Sequence, residues 1–402
     1  MTLIQCLSPS LLENIAVYLH LLPKKLLLLG GSSAAAMRYE QLLLQRGHRV
    51  EIVRCPMGND HPADIEELFL ALVQQEECVL DLTCGDTAVS IAAGVLICNL
   101  PRGKWDNLRI VTYDLAGDRF RRLFGKSMSV PEVQISVEEL IRLYGGDILP
   151  DSFQPLPTFQ AAELDDLWEY VSRNPREWNR YLSVMIEFES RADSKTDVFL
   201  PLSAIAGEIR DFSEKEALMR ECLALLHSKH AVINRSEENS LYYSYTSPLM
   251  RHCTFRAGTI LETKVLLEAR EYKEDDKPYF TDCRLGVTID WDGIIYDQDD
   301  IPETRNEVDL VLMRGVTPLF VSCKNGNVDE NELYKLHTVA NRFGSPKAKK
   351  LLFATDLDRK SKIAEQHFTL RAKEMGIHLV SNVTGLSKAD WGAIFRKAMG
   401  EE

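Results

Sequence analysis

Asn306-Glu-Val-Asp-Leu-Val-Leu-Met-Arg-Gly-Val-Thr-Pro-Leu-Phe-Val-Ser-Cys-Lys-Asn-Gly326 reads as two apolar strands, Val308–Met313 and Leu319–Lys324, around a turn near Gly315–Thr317. Both runs are rich in aliphatic and branched residues that fit a pleated, buried surface, and a glycine between them permits a tight reversal. Three polar side chains interrupt this pattern: Asp309 on the first strand, Ser322 and Lys324 on the second. Residues two apart on a strand share a face, so Ser322 and Lys324 point one way and Cys323 the other. With the turn centred there, Asp309 falls roughly opposite Lys324.

The hairpin sits inside an alternating pattern from about Thr254 onward. Gly258–Arg270 reads as a helix and Cys283–Trp291 as a strand. After the hairpin come a helix over Glu330–Arg342, a strand over Lys350–Ala354, a helix over Lys362–Met375 and a strand over Ile377–Val380. This predicts an α/β domain over residues 254–402. Residues 1–150 also alternate, with short apolar strands at Leu26–Gly30, Val50–Val53, Cys78–Leu82 and Arg109–Tyr113 and helical spacing at Ala34–Arg46, Ile65–Val73 and Ala88–Ile97. Repeated β–α units with uniformly apolar strands imply a Rossmann-like parallel sheet covered on both faces. The Gly- and Pro-rich stretch from Gly145 to Pro157 marks a linker. Residues 151–253 then combine helices (Ala161–Tyr170, Leu202–Arg210, Glu214–His227), a strand at Leu182–Glu189, and a two-stranded wing at Ala231–Asn234 and Leu241–Tyr245. That is a winged-helix-like module whose sparse basic residues favour a spacer over a DNA reader.

Composition bounds the function. The 402 residues are 45% hydrophobic and 27% charged, as expected for well-packed globular domains. A net charge of −13 repels phosphate backbones, so any nucleic-acid contact needs a local basic patch. Lys347, Lys349, Lys350, Arg359, Lys360 and Lys362 supply one, although a solvated charged face fits them equally well. Nine scattered cysteines without a C-x-x-C pair argue for a reducing compartment. With no signal-peptide layout and no apolar run long enough to span a bilayer, the expectation is a cytoplasmic protein without a membrane partner.

An acid and a lysine on paired strands can hold a divalent cation beside a charge stabiliser for phosphodiester hydrolysis. Asp309 would bind the metal, the Cys323 backbone carbonyl would add a ligand, and Lys324 would stabilise charge on the phosphate. Such an oxygen shell suits Mg²⁺ or Mn²⁺. Taken singly, Asp309 also fits a satisfied strand carboxylate, and Lys324 before Asn325-Gly326 fits a strand end. The spacing resembles the PD-(D/E)xK nuclease signature, with Ser322 in place of the acid two before the lysine. Glu262, in Gly258-Thr-Ile-Leu-Glu262, ranks first to compensate, ahead of Asp290 and Glu332. The implied catalytic set is Glu262, Asp309, Ser322 and Lys324.

In the amino-terminal half two loops carry small and hydroxylic residues suited to a phosphate: Gly30-Gly31-Ser32-Ser33, and Thr83-Cys84-Gly85-Asp86-Thr87 after Asp81-Leu82. Neither is a dinucleotide or Walker loop, and tight turns with a capping Ser or Thr also fit them. Asp81-Leu-Thr-Cys-Gly-Asp-Thr-Ala88 resembles the loop of CRISPR-associated Rossmann-fold (CARF) sensor domains, often D-x-T-G-G-T, with Cys84 and Asp86 departing from it. The resemblance implies a homodimer that holds one cyclic oligoadenylate, tetra-adenylate by preference, across its two-fold axis. Gly31, Ser32, Ser33, Thr83, Cys84, Gly85, Asp86 and Thr87 would line that pocket. The whole chain resembles CARF-domain nucleases of type III CRISPR systems, which implies ligand-activated, metal-dependent cleavage of DNA or RNA in antiviral defence. A ligand-responsive nucleic-acid-binding regulator with a degenerate nuclease fold is the alternative.

Overall fold

The structure, a computed structural model, describes residues 1–8, 11–55, 62–85, 87–114, 119–126, 132–149, 161–294, 304–326, 328–345, 348–355, 357 and 360–401. It opens with two elements that the sequence reading passes over, β1 (Thr2–Cys6) and α1 (Leu11–Leu21). There follow β2 (Lys25–Leu29), α2 (Ser33–Gln45), β3 (Glu51–Cys55), α3 (Pro62–Gln75), β4 (Cys78–Asp81), α4 (Thr87–Asn99), β5 (Leu108–Asp114) and β6 (Arg119–Phe124). The strands form one sheet in the order β3-β2-β1-β4-β5-β6. All neighbours are parallel except β6, which returns antiparallel along β5. The strand expected to be first is therefore second, and the chain winds outward in both directions from β1. Alternate residues feed two cores: Leu3, Leu28 and Val79 face α1 and α2, while Ile4, Leu29 and Leu80 face α3 and α4.

Next come α5 (Val137–Leu143), started by a capping box of Ser136 and Glu139, and β7 (Asp147–Ile148). The first residues of the expected linker are structured: after Gly145-Gly146 the chain pairs β7 onto the edge of a second large sheet, Ile148 beside Ile289 and Asp147 beside Asp290. Residues 150–160, the rest of that stretch, lie outside the described residues.

The middle segment holds α6 (Asp165–Arg173), α7 (Pro175–Glu189), β8 (Asp197–Pro201), α8 (Leu202–Ile205), α9 (Phe212–Ser228), β9 (Val232–Asn234), β10 (Ser240–Tyr245) and α10 (Pro248–Cys253). Its strands pair antiparallel in the order β8-β10-β9. The strand expected at Leu182–Glu189 is the second half of α7. Leu182, Val184, Ile186 and Phe188 alternate, which imitates a strand. Pro175 starts a helix upstream, and Trp178, Leu182, Met185 and Phe188 bury one helical face. The expected helix over Leu202–Arg210 ends already at Ile205.

The remaining elements are α11 (Thr259–Glu271), the short pair β11 (Lys273–Glu274) and β12 (Lys277–Pro278), β13 (Asp282–Asp290), β14 (Arg305–Arg314), β15 (Thr317–Lys324), α12 (Glu330–Gly344), β16 (Lys349–Ala354), α13 (Lys362–Glu374), β17 (Ile377–Val380) and α14 (Lys388–Met399). The second large sheet runs β17-β16-β15-β14-β13-β7. From β13 to β15 the strands are antiparallel, and from β15 to β17 parallel. One face, with Leu310, Leu312, Leu319 and Val321, is covered by α11 and α14. The other, with Val311, Met313 and Phe320, packs with Leu333 and Phe343 of α12 in the same core as Leu3, Tyr39 and Leu140. A single core is thus shared by facing sides of both six-stranded sheets. Among the described residues no helix is long and apolar enough to cross a membrane.

Candidate active site

The β14–β15 hairpin closes through a two-residue turn, Gly315-Val316, because Arg314 pairs with Thr317. Gly315 has a φ of 60°, and glycine at the first position of a two-residue turn is the type II′ pattern. An Asp309–Lys324 pairing would need a turn at Val316-Thr317, one residue later, so the register differs from that expectation by two. Extending the ladder past Leu310 and Val321 sets Asp309 opposite Ser322 rather than Lys324. The Ser322 hydroxyl donates to Asp309 Oδ2 at 3.0 Å, and the Cys323 backbone N–H donates to the same oxygen at 2.6 Å. Lys324 still reaches it, with Nζ 3.5 Å away, because it shares a face with Ser322.

Lys324 also lies 3.2 Å from Glu332 Oε2 in the first turn of α12. Burial opposes its charge, but Asp309 and Glu332 more than offset that, and its pKa stands above the ordinary lysine value. Glu332 is further engaged by Lys335 at 3.0 Å, so it braces the lysine. Glu262, in the first turn of α11, faces the same region. Its pKa is pushed up to about 8, first by burial and then by the carboxylates of Asp309 and Glu307, against the milder pull of Lys324 and Arg256. Two carboxyl groups are thus crowded beside one ammonium. A cation would relieve this excess of negative charge, so the donor chemistry fits a divalent metal. Among the described residues, however, no three His, Cys, Asp or Glu side chains converge to hold one. Asp290 stands apart: its Oδ1 accepts from the backbone N–H groups of Asp292, Gly293 and Ile294 and closes a turn.

In front of these acids lies a cleft of about 820 Å³. Its floor includes Leu285, Gly286 and Thr288 of β13 with Glu262 and Glu307, and its wall is built by Tyr245, Arg251, His252, Phe255 and Arg256. Gly286 (φ 61°) sits opposite Asp309, between the pairs Leu285–Leu310 and Val287–Val308, where it places no side chain on the floor. Sequence reasoning missed this wall, because no local pattern shows that α10 and β13 line one cleft. One member of the expected lysine track turns inward. Lys350 is buried, 3.4 Å from His337 Nδ1, and Lys347 and Arg359 lie outside the described residues. Of the three tyrosines on β10, Tyr243 and Tyr245 turn inward to share Glu189 Oε1, which leaves Tyr242 half exposed.

At the other end of the molecule, the loops after β1, β2 and β4 meet beyond the carboxyl ends of those strands, where an open parallel sheet binds ligands. Gly31, Ser32 and Ser33 are exposed there, and Ser32 caps α2 by accepting from Ala35 N at 3.1 Å. Beside them Asp81 is buried, accepting from Gln5 Nε2 at 2.8 Å and Thr83 N at 2.9 Å. Burial raises the Asp81 pKa despite those hydrogen bonds. The Thr83 hydroxyl is occupied, donating to Asp81 and accepting from Tyr113 N at 2.8 Å, so it shapes the loop. Burial first, then Asp81 and Glu13, push the Cys84 thiol up to about 12, so it stays a thiol. Gly85 is half buried, Thr87 is exposed, and Asp86 lies outside the described residues. The β1 loop, with Leu7 and Ser8, is an addition to the expected set. Asn14 fastens it, accepting from Ser8 N and donating to the Cys6 carbonyl.

Gly31 combines a φ of 78° with a close neighbour: a Cβ there would stand 2.5 Å from Leu7 Cβ. Gly31→Ala is therefore expected to cost about 1–3 kcal/mol of stability. Denaturant unfolding measures this, and an unchanged midpoint would show that the loop yields freely.

Fold and site together describe an α/β protein with a ligand-type loop cluster at one end and an acid–lysine pair beside a cleft at the other. No family model and no curated protein matches the chain. Solved structures share its fold over the full length. Protein VC1899 from Vibrio cholerae superimposes with a TM-score of 0.69 at 17% identity, covering 100% of this chain and 99% of that one. Can2 from Sulfobacillus thermosulfidooxidans, in complex with cyclic tetra-adenylate, gives 0.63 at 16% identity, covering 99% and 97%.

Proposed function

We propose that the chain is a metal-dependent nuclease switched on by a cyclic oligoadenylate, acting in CRISPR antiviral defence. Its parts would be a CARF-type Rossmann-like sensor (1–150), a winged-helix-like module (151–253) and a PD-(D/E)xK-like nuclease domain (254–402). The observation that carries the proposal is the meeting of Glu262, Asp309 and Lys324, from one helix and one hairpin, beside the open cleft. The fold shared with a protein that holds cyclic tetra-adenylate supports the sensor half. A second copy as partner is supported by α4, which leads out of the Thr83–Gly85 loop with Ile91 and Val95 49% and 42% exposed one helical turn apart. Two such stripes packed about a two-fold axis would bring both ligand loops together.

Asp309, Glu262 and the Cys323 carbonyl would hold Mn²⁺ or Mg²⁺, which when bound supplies Lewis-acid stabilisation of the phosphate and a more acidic water. The protein's own contribution is positional. Ser322 and the Cys323 N–H fix the Asp309 carboxylate, and Glu332 holds Lys324 ready to offset the charge that grows on the phosphoryl oxygens. Water adds to phosphorus and one P–O ester bond breaks.

Nucleic acid incubated with the protein and Mn²⁺ is expected to be cut at least ten-fold faster when cyclic tetra-adenylate is present. Equal rates with and without it would remove ligand control from the proposal. Ser322, standing where an acid is usual, favours one second reading. In it the chain binds nucleic acid under ligand control without cutting it, and tight ligand binding with no cleavage under either condition would select it.

A further inference from the structure

The wall of the cleft has no assigned role. Arg251 and Arg256 both line it, and neither forms an ion pair among the described residues, although Arg256 is near enough to Glu262 to draw its pKa down somewhat. For half-buried Arg251 the lack of a pair is unusual, since most half-buried arginines of this acid-rich chain are paired; Arg256 is exposed. Phe255, between them in sequence, is 62% exposed, with the Arg256 guanidinium carbon 5.4 Å from its ring centre. Next to Arg251, the His252 Nε2 is buried without a hydrogen-bond partner. Glu262 and Glu307 line the same cleft. A large exposed aromatic ring and two guanidinium groups without an ion pair, in a cleft that also holds the acids, suit a stacked base with its flanking phosphates.

We infer that α10 and the segment after it hold the strand to be cut: Phe255 stacks on one base, and Arg251 and Arg256 take the phosphates on either side. The scissile phosphodiester is thereby presented to Glu262 and Asp309. The inference rests on the nuclease reading, which supplies the reaction. The roles are those of positioning residues. Gly286 gives the strand access to the floor, and the cleft volume, within the range of about 300–1,000 Å³ typical of pockets for small ligands, takes unpaired nucleotides rather than a duplex.

The test uses the full chain carrying Asp309→Asn, which binds without cutting, and a fluorescent single-stranded oligonucleotide followed by anisotropy across a salt series. Arg251→Ala with Arg256→Ala is expected to reduce the dependence of log K on log salt by about 1.4, since each phosphate contact on a single strand contributes about 0.7. Phe255→Ala is expected to weaken binding on the order of ten-fold, and Phe255→Trp to restore it. Phe199→Ala with Arg235→Ala removes exposed side chains on the three-stranded sheet, outside the cleft, and is expected to change nothing. Equal weakening by that control, or unchanged affinity and salt slope in the cleft variants, would overturn the assignment. The two claims separate cleanly. A chain that never cuts but binds in this pattern keeps the strand-holding wall and loses the nuclease reading. A chain that cuts under ligand control with normal rates in the cleft variants keeps the nuclease and loses the wall.

Discussion

Asp309→Ala is expected to lower metal-dependent cleavage by about two to three orders of magnitude, the usual scale for removing one preorganised electrostatic group. Asp309 is the point where the site's contacts converge, with Ser322, Cys323 and Lys324 all on one of its oxygens. Alanine would also leave the Cys323 N–H unpaired, at a stability cost of about 1–3 kcal/mol. Asp309→Asn keeps an acceptor and the shape while removing the charge, so it separates catalysis from folding. Glu262→Ala is expected to behave like Asp309→Asn. Cleavage that persists in Glu262→Ala would mean that the acid missing at Ser322 is replaced from elsewhere. Persistence in both variants would mean that the site is wrongly placed.

The largest stability effect is expected at Lys264, on the buried side of the same helix. Its ammonium lies 2.5 Å from Asp165 and 2.7 Å from Glu268, and the side chains of Lys264 and Glu268 are only 4% and 6% exposed. Lys264→Met leaves the Glu268 carboxylate buried without a counter-charge, which costs about 3–5 kcal/mol. Asp165 is 59% exposed, and water takes over its charge. Adding Glu268→Leu to Lys264→Met is expected to recover most of the loss, since a buried pair exchanged for apolar groups of similar size is close to neutral. Denaturant unfolding of the two variants measures this. A double variant no more stable than the single one would show that Glu268 finds another partner.

What could be read in the chain follows from where each signal lives. The hairpin was legible because its glycine turn, its apolar runs and its three polar exceptions lie within one short segment. Even there the register was not, since a shift of one residue in the turn moves every pairing by two. β1 escaped notice because Thr2 and Gln5 interrupt it. Both are buried, and Gln5 is satisfied only by Asp81, Tyr39 and Asn14, residues far along the chain. The strand imagined at Leu182–Glu189 shows the converse, a local alternation overruled by Trp178 upstream. The Arg251–Arg256 wall was not legible because α10 and β13, far apart in sequence, line one cleft. The loop at Thr83 was found by sequence, but the inward turn of its hydroxyl depends on Tyr113, a strand away.

The β7 strand carries a mechanical consequence. The chain leaving the first sheet is sewn to the second at several points. Ile135 N donates to the Gly315 carbonyl at the hairpin turn, Leu149 N to Thr288, and Arg342 to the carbonyl of Tyr144. At Gly146 a Cβ would stand 2.5 Å from the Phe343 ring, which leaves no slack. Swinging one sheet away from the other would unzip β7 and bare the apolar face of α5, with Val137, Leu140, Ile141 and Leu143 all losing cover. At about 1.5–3 kcal/mol for each large side chain, the four together exceed the roughly 1–3 kcal/mol by which two sites are usually coupled. Within one copy the body is therefore a rigid strut, so a displacement at the Ser32 loop reaches the hairpin as a small tilt of the whole.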